Sequence, residues 1–286
     1  MPTMKAIKGR IKSVKSTQQI TKAMNLVATS KLARARENLR KERPYSEQMR
    51  LILARIAQDI DLTSHPYFAQ SPGERVLIVL MTADRGLCGG YNTNACRACT
   101  DIIKQHPNVD IIASGSKGRD YYIRRGKKII KTFVGITETP LMYDARDIAE
   151  LAMDSYNDGT YDKVYLVYTK FHSVVSYEPT AMQLLPLAKE ALPDVDNAAG
   201  ADAMSFEPGD TSIVEYAVER YVEAVIFNGL CESAAAQLAS KMVSMETATD
   251  NAQKMISTLT LTYNRARQAK ITQELTEIVA GANALK

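Results

Sequence analysis

The residues whose types and spacing suit chemistry best lie in a glycine-rich loop, TADRGLCGGYN, at positions 82–92. The loop follows an apolar stretch of strand length and precedes a predicted helix, which is where many α/β proteins bind a phosphate group. Its glycines do not have the G-x-G-x-x-G spacing, and no G-x-x-x-x-G-K-S/T sequence occurs in the chain. The spacing of the glycines therefore favours the interpretation of the loop as a structural turn over that of a nucleotide site. The sequence SGSKGR at positions 114–119 suits an anion, but a helix start with a basic cap explains it equally well.

Other reactive side chains are scattered along the chain. Cys96 and Cys99 have the C-x-x-C spacing of a redox pair or of half a zinc site. No second pair of this spacing follows, and the three histidines stand alone, so we expect small helix-face residues in a reducing compartment. Asp84, Asp250 and Glu274 are isolated carboxylates, which fit hydrogen bonds or helix caps better than acid–base catalysis. The residues thus predict no catalytic site and no metal site.

The net charge of +4 conceals a strongly basic start. Residues 1–43 contain twelve Lys and Arg against two Glu, which gives +10 for this segment and leaves −6 for the rest of the chain. A basic helix of this kind suits nucleic acid, an anionic membrane surface or an acidic protein channel. The chain has no uncharged apolar run of about 18 residues, the length that spans a bilayer. The basic start is not followed by the apolar core of a secretory signal.

Two long helices are predicted at the ends of the chain. The first covers about residues 3–60, and Pro44 predicts a kink or a break within it. Its apolar stripe lapses where Gln18, Thr21 and Asn25 occupy the same face. The second covers residues 210–286, contains no proline and repeats apolar or small residues at steps of three and four. A helix of about 70 residues is about 100 Å long, so it needs a partner helix or the inside of another protein.

Between the helices the pattern changes to short apolar runs separated by amphipathic segments. Strands are predicted at residues 75–82, 109–113, 128–133 and 163–170, with a further one at 179–187. The intervening helices are predicted at about 91–105, 117–125 and 144–156. Strands that alternate with helices indicate an α/β sheet of Rossmann-like type. The predicted fold class is α/β, with a long antiparallel coiled coil of the N- and C-terminal helices plus a central Rossmann-like α/β domain.

The division into domains follows from these patterns. We expect an N-terminal coiled-coil helix at 1–62, the Rossmann-like domain at 74–188, a loop at 189–209 and a C-terminal coiled-coil helix at 210–286. Alanines at contact positions would let the two helices approach closely, but few e/g charge pairs have opposite signs, so a regular zipper is not expected.

Polar side chains crowd two turns of the last helix, namely Arg265, Arg267, Gln268, Lys270, Thr272 and Glu274. A solvated helix face explains them in the simplest way. On a helix too long to cover itself, they fit contacts to a partner better, because guanidinium and amide groups suit bonds to carboxylates and backbone.

Three blocks of sequence resemble the γ subunit of F-type ATP synthase. The first is IKSVKSTQQITKAM at 11–24 with VATSK at 27–31, and the second is DRGLCGGYN at 84–92. The third covers 239–281 and includes ATDNA at 248–252, YNRARQ at 263–268 and ITQELTEI at 271–278. Together with the order helix, α/β domain, helix, the likeness covers essentially the whole chain.

The resemblance implies a central rotor shaft, with no active site and no cofactor of its own. In this family the terminal helices enter a ring of three α and three β subunits, while the middle domain and lower coiled coil bind the ε subunit and the ring of c subunits. Ion flow, H⁺ or Na⁺, turns the c ring, and the asymmetric shaft moves each β subunit through different nucleotide-binding conformations. The family's contacts to the α/β ring map to Met24, Lys241, Arg267, Gln268 and Thr272, and Lys241 stands where an arginine is often found.

The resemblance also implies peripheral association with a membrane and no nucleic-acid partner. The chain shows no transit segment and no inserted regulatory dithiol between residues 187 and 209, which favours the cytoplasmic face of a bacterial inner membrane.

Two other classes of function stay open. The basic first helix suits a nucleic-acid-binding coiled coil, although it lacks interleaved aromatics and would leave the third block unexplained. The loop at 82–92 suits a nucleotide-binding α/β enzyme, which saturable nucleotide binding by the isolated chain would favour.

Overall fold

The structure is a computed structural model that describes residues 3–59, 62, 65–69, 73–188, 192–193 and 210–284. In the described residues, one long helix ends at Asp59 and another begins at Asp210, and a five-stranded sheet with three helices lies between them in the sequence. In chain order the elements are α1 (Met4–Asp59), β1 (Arg75–Met81), α2 (Tyr91–Gln105), β2 (Asn108–Ser114), α3 (Ser116–Ile123), β3 (Ile129–Phe133), α4 (Met142–Asn157), β4 (Lys163–Phe171), β5 (Tyr177–Leu185) and α5 (Asp210–Ala284). The predicted fold class is confirmed.

The strands form one sheet in the order β3-β2-β1-β4-β5. The central strand, β1, is buried at every residue after Arg75, which explains its continuous apolar sequence. It pairs in parallel with β2 and β4, and β2 pairs in parallel with β3. The last strand, β5, pairs antiparallel with β4, because a short turn joins them and no crossover helix intervenes.

Helices cover both faces of the sheet in the compact unit formed by Thr29–Lys241. Along β1, odd-numbered side chains such as Leu77 pack with α4 and the start of α5. Even-numbered side chains such as Ile78 pack with α2 and α3. This is the alternation that a strand with a period of two imposes. In the same unit, residues 231–240 of α5 are all buried, which makes this stretch of helix part of the core.

The second compact unit consists of Met1–Ala28 and Met242–Lys286. Polar contacts join α1 to α5 within it: Gln18 Nε2 donates to Gln253 Oε1 at 2.9 Å, the Thr21 and Thr249 hydroxyls lie 2.8 Å apart, and Asn25 Nδ2 donates to the Met242 carbonyl at 2.9 Å. Residue numbers rise along α1 as they fall along α5, so the helices are antiparallel, as predicted. The polar residues that interrupt the apolar stripe of α1 therefore bond across the helix pair.

Pro44 lies inside α1, which continues from Met4 to Asp59. The helix therefore does not break at this position, and a kink there stays a prediction. Proline in a helix interior removes one backbone hydrogen bond and costs about 3 kcal/mol. Leu39 and Leu53, on either side of it, are buried at 4% and 0% exposure, so tertiary packing holds the helix together across the proline.

The loop predicted at 189–209 lies outside the described residues except for Leu192 and Pro193. The division of the chain into domains stays a prediction. Among the residues that the structure describes, none of the helices combines the length and apolar character that crossing a membrane requires.

Candidate functional site

The loop at positions 82–92 is organised around the Asp84 carboxylate. Its Oδ1 accepts hydrogen bonds from the Ser116 backbone N–H at 3.1 Å and the Ser116 hydroxyl at 3.4 Å. Its Oδ2 accepts from the Gly135 N–H at 2.9 Å and the Thr137 hydroxyl at 3.0 Å. The chain's own carboxylate thus lies at the N-terminus of α3, the position that would otherwise attract an external anion.

Further internal bonds hold the rest of this loop. Asn92 Oδ1 accepts from the Ala83 N–H at 2.8 Å, and its amide nitrogen lies 3.1 Å from the Cys88 sulfur. The Ser240 hydroxyl on α5 donates to the Cys88 carbonyl at 2.6 Å. These bonds tie the end of β1 to α2 and α5, and they support the interpretation of the loop as a structural turn.

The second candidate for an anion site, at positions 114–119, brings α3 close to the end of β1. Gly115 has a φ of 95°, and an added Cβ there would lie 2.2 Å from the Thr82 carbonyl oxygen. The Gly118 N–H donates to Thr82 Oγ1 at 2.9 Å. Gly115 therefore serves a close approach between backbones, and Gly118 leaves room for the Thr82 and Leu80 side chains.

The cysteines have a structural role. All four are buried free thiols. Burial raises the pKa of Cys96 to about 11 and that of Cys99 to about 12, so neither is a thiolate at neutral pH. Within the described ranges, no group of three or more His, Cys, Asp and Glu side chains is arranged to hold a metal ion.

Lys241, one of the predicted partner contacts, is paired within its own chain. It forms an ion pair with Glu138 and its side chain is only 11% exposed. Lys31 of α1 pairs with the same carboxylate. Burial raises the pKa of Glu138, but hydrogen bonds from Lys241 and Lys31 outweigh it and leave the pKa below its ordinary value. These three residues, which we call the lysine clamp, hold the connection between β3 and α4 against both long helices in the Thr29–Lys241 unit.

Replacing Glu138 by glutamine should destabilise the chain by about 1–3 kcal/mol, because the largely buried Lys241 ammonium loses its counter-charge. Urea unfolding at neutral pH measures this loss. Since the pKa of Glu138 is lowered on folding, its contribution is present above the ordinary pKa of 4.5 and disappears as the pH falls through the folded value. The matched control is Glu37→Gln on α1, because the Glu37 side chain is 44% exposed and also pairs with two basic residues, so little change is expected. Equal losses of stability in the two variants would contradict a stabilising role for the lysine clamp.

The end of α5 is uncovered in the unit that contains it, because residues 267–283 are all exposed. They include three of the predicted contacts, Arg267, Gln268 and Thr272. The Thr272 hydroxyl donates to the Gln268 carbonyl one turn earlier, at 3.0 Å. Large apolar side chains of this helix are also in solvent, namely Leu261, Ile271, Leu275, Ile278 and Val279. A helix with apolar side chains exposed over several turns indicates a surface that a partner covers.

The start of α1 adds a basic surface to the same unit. Its exposed cations are Lys5, Lys8, Arg10, Lys12, Lys15 and Lys22. Met24, the remaining predicted contact, is partly buried, and beside it Leu26 and Val27 are 64% and 56% exposed. The unit thus presents positive charge and apolar side chains together.

These observations define a class of protein. Two terminal helices present polar, basic and apolar surfaces, and in the part of the chain described the polar groups of the glycine-containing loops make internal hydrogen bonds. Such a chain fits a shaft or scaffold that works inside an assembly better than an enzyme.

Comparisons with known proteins give this class a family. The family described as ATP synthase matches residues 3–285. The ATP synthase gamma chain of Heliobacterium modesticaldum (strain ATCC 51547 / Ice1) is 42% identical over 289 residues, which is 100% of each chain. This chain belongs to the family of ATP synthase gamma chains.

Solved structures share the fold. A chain in the Euglena gracilis mitochondrial ATP synthase, in a structure with OSCP, F1 and the c-ring, matches with a TM-score of 0.69 at 20% identity, over 99% of this chain and 94% of that one. A chain in the central stalk and c-ring of the Tetrahymena thermophila mitochondrial ATP synthase matches with a TM-score of 0.60 at 24% identity, over 80% and 99%. At these identities the likeness concerns the fold alone.

Glu138 is the residue of this region that the sequence analysis missed. It lies 107 positions from Lys31 and 103 from Lys241, so no periodicity or local motif links the three. The only sequence signal near these three residues was the family resemblance, which assigned Lys241 as a contact to a partner subunit.

Proposed function

We propose that this chain is the central rotor shaft of an F-type ATP synthase. It couples ion-driven rotation of a c-subunit ring to conformational changes at the catalytic β subunits, and in reverse it couples ATP hydrolysis to ion pumping. The shaft itself is not catalytic. The observation that carries the proposal is the uncovered end of α5, whose residues 267–283 are exposed on all sides and fit the interior of a surrounding ring.

The physical basis of the coupling is differential binding. A shaft changes the ring around it only if each orientation stabilises one arrangement of the ring over the others. The end of α5 is suited to this task because charged side chains such as Arg267 and apolar ones such as Leu275 share its exposed surface. The +10 charge of residues 1–43 suits passage past an acidic collar, where long-range attraction operates without close interlocking.

Five side chains make the proposed contacts with the α/β ring. Arg267, Gln268 and Thr272 contact β subunits near the end of α5, Met24 lies near the collar, and Lys241 makes a lower contact. The exposure of the first three supports this assignment. Because Lys241 is paired with Glu138, it contacts a partner carboxylate only by sharing its donors or by leaving the lysine clamp.

The other proposed partners are the ε subunit and the ring of c subunits. The α/β domain and the lower helices bind them outside the α/β ring, and the similar structures from Euglena and Tetrahymena both include a c-ring. The chain belongs to the membrane-associated F1 sector of its complex. Its proposed place is peripheral, on the cytoplasmic face of a bacterial inner membrane, with no contact to nucleic acid.

A tagged copy of the chain, recovered from native membranes, tests the proposal. The masses of the associated chains and the ATPase activity of the eluate are recorded. Recovery of α, β and ε subunits with ATPase activity is expected, while the isolated chain is inactive. Recovery of the chain alone, or with nucleic acid, would contradict the rotor role.

A further inference from the structure

Two buried carboxyl groups lie on the long helices inside the Thr29–Lys241 unit. Glu42 of α1 is 6% exposed, and Glu232 of α5 is 3% exposed. Neither carboxylate oxygen of Glu42 has a hydrogen-bond partner among the described residues. An ionised carboxylate loses most of its hydration in such a place, so the neutral acid is favoured there.

Neighbouring groups balance the charge of Glu232 but not that of Glu42. The Arg43 guanidinium on α1 lies 3.2 Å from Glu232 Oε1 and also donates to the Phe171 carbonyl on β4 at 3.0 Å. The Phe171 N–H donates to Glu232 Oε2 at 3.3 Å. Glu232 thus has a cation and a backbone donor, whereas Glu42 has neither as a hydrogen-bond partner.

Two more titratable groups, Cys231 of α5 and Tyr168 of β4, interact electrostatically with these acids. Burial, and then the negative charges of Glu42 and Glu232, raise the pKa of the Cys231 thiol on α5 to about 12. Burial and the charges of Glu232 and Glu178 raise the pKa of Tyr168 on β4 to about 12; Glu178 itself lies on β5 and is exposed. Cys231 and Tyr168 are therefore neutral at neutral pH and supply no positive charge to balance a second carboxylate.

We propose that Glu42 and Glu232 form a proton-binding site whose single proton controls how tightly α1 pairs with α5 in this unit. With the proton bound, the pair carries one negative charge, which Arg43 balances. Without it, one guanidinium is left to balance two buried carboxylates, and the helix pair loosens. The site needs no partner chain, so it stands whether or not the rotor role holds.

The direction of the pH dependence follows from burial. Burial, and next the Glu232 charge, raise the pKa of Glu42 from 4.5 to about 7, while Arg43 acts in the opposite direction. A carboxyl group with a raised folded pKa contributes stability that is complete below its ordinary pKa and is lost as the pH rises through the folded value. The chain should therefore lose stability between about pH 5 and about pH 8.

Urea unfolding of the full chain across this range tests the site. The unfolding equilibrium constant of the wild type should rise about tenfold or more between about pH 5 and about pH 8. Glu42→Gln, which imitates the protonated acid, should remove most of that rise. Glu47→Gln, at an exposed position of α1, is the matched control and should follow the wild type. Equal pH dependence in the wild type and Glu42→Gln would overturn the proposal.

Carbon-13 NMR of the glutamate carboxyl groups gives a second test, and the spectrum of the wild-type chain alone can already contradict the proposal. One carboxyl resonance should titrate near pH 7, and it should be missing from Glu42→Gln and present in Glu47→Gln. If no glutamate carboxyl titrates above about pH 6, the two acids do not hold the proton.

Discussion

Replacing Arg267 by glutamate should reduce ATP-driven ion pumping by the assembled complex about tenfold or more. A charge reversal in an interface turns attraction into repulsion and leaves a partner carboxylate uncompensated, at a cost of about 2–5 kcal/mol, and each 1.4 kcal/mol corresponds to about a factor of ten. Arg267 is exposed in the free chain, so the variant should fold as stably as the wild type. Pumping into inverted membrane vesicles and urea unfolding of the isolated chain measure the two effects separately.

The matched control is Arg97→Glu, a reversal of the same charge at an exposed position of α2 in the α/β domain. This variant should keep pumping close to the wild-type rate. Gln268→Ala should show an intermediate loss, since the amide contributes hydrogen bonds without a full charge. If Arg267→Glu pumps as well as the wild type, the proposed contact at this position is wrong.

Replacing Gly115 by alanine should destabilise the chain by about 3 kcal/mol or more. Gly115 has a φ of 95°, a conformation that costs an L-residue about 1–2 kcal/mol. Its added Cβ would also lie 2.2 Å from the Thr82 carbonyl oxygen. That oxygen belongs to backbone, and the Thr82 N–H is itself bonded to the Ser114 carbonyl at 2.8 Å, so relief requires α3 to move away from β1.

Gly126→Ala separates the two causes. Gly126 has a φ of 71°, but no atom lies within 4 Å of its added Cβ, so only the conformational cost of about 1–2 kcal/mol applies. The difference between the two variants in urea unfolding reports the steric cost of the approach of α3 to β1. Similar losses of stability in both variants would show that the added Cβ at position 115 causes no steric clash.

The periodic parts of the fold were predictable from the sequence. The run of buried residues after Arg75 in β1 reads as a buried parallel strand, and steps of three and four predict α5. The antiparallel orientation of β5 also has a local cause, since five residues between β4 and β5 leave no room for a crossover helix. At Pro44 the local sequence is a poor guide, because packing of residues distant in sequence overrides a helix-breaking signal.

The contacts that define the candidate sites were much harder to predict from the sequence. Asp84 was expected to make hydrogen bonds, and it does, but its partners Ser116, Gly135 and Thr137 lie 32 to 53 positions away. Glu138 and Glu42 carry no local signal at all, since each gains its role from side chains on another element. The contacts to partner subunits at Arg267, Gln268 and Thr272 came from the family resemblance and stay predictions.

Rotation of the chain inside a complex with α and β subunits tests the central claim most directly. The four native cysteines are buried, so a cysteine introduced at Lys104, whose side chain is 69% exposed, allows selective attachment of a bead. With the α/β ring fixed to a surface, ATP should drive rotation of the bead in one direction, and Arg267→Glu should slow or stop it. A complex that hydrolyses ATP at the wild-type rate while the bead shows only Brownian motion would contradict the role of this chain as the rotor.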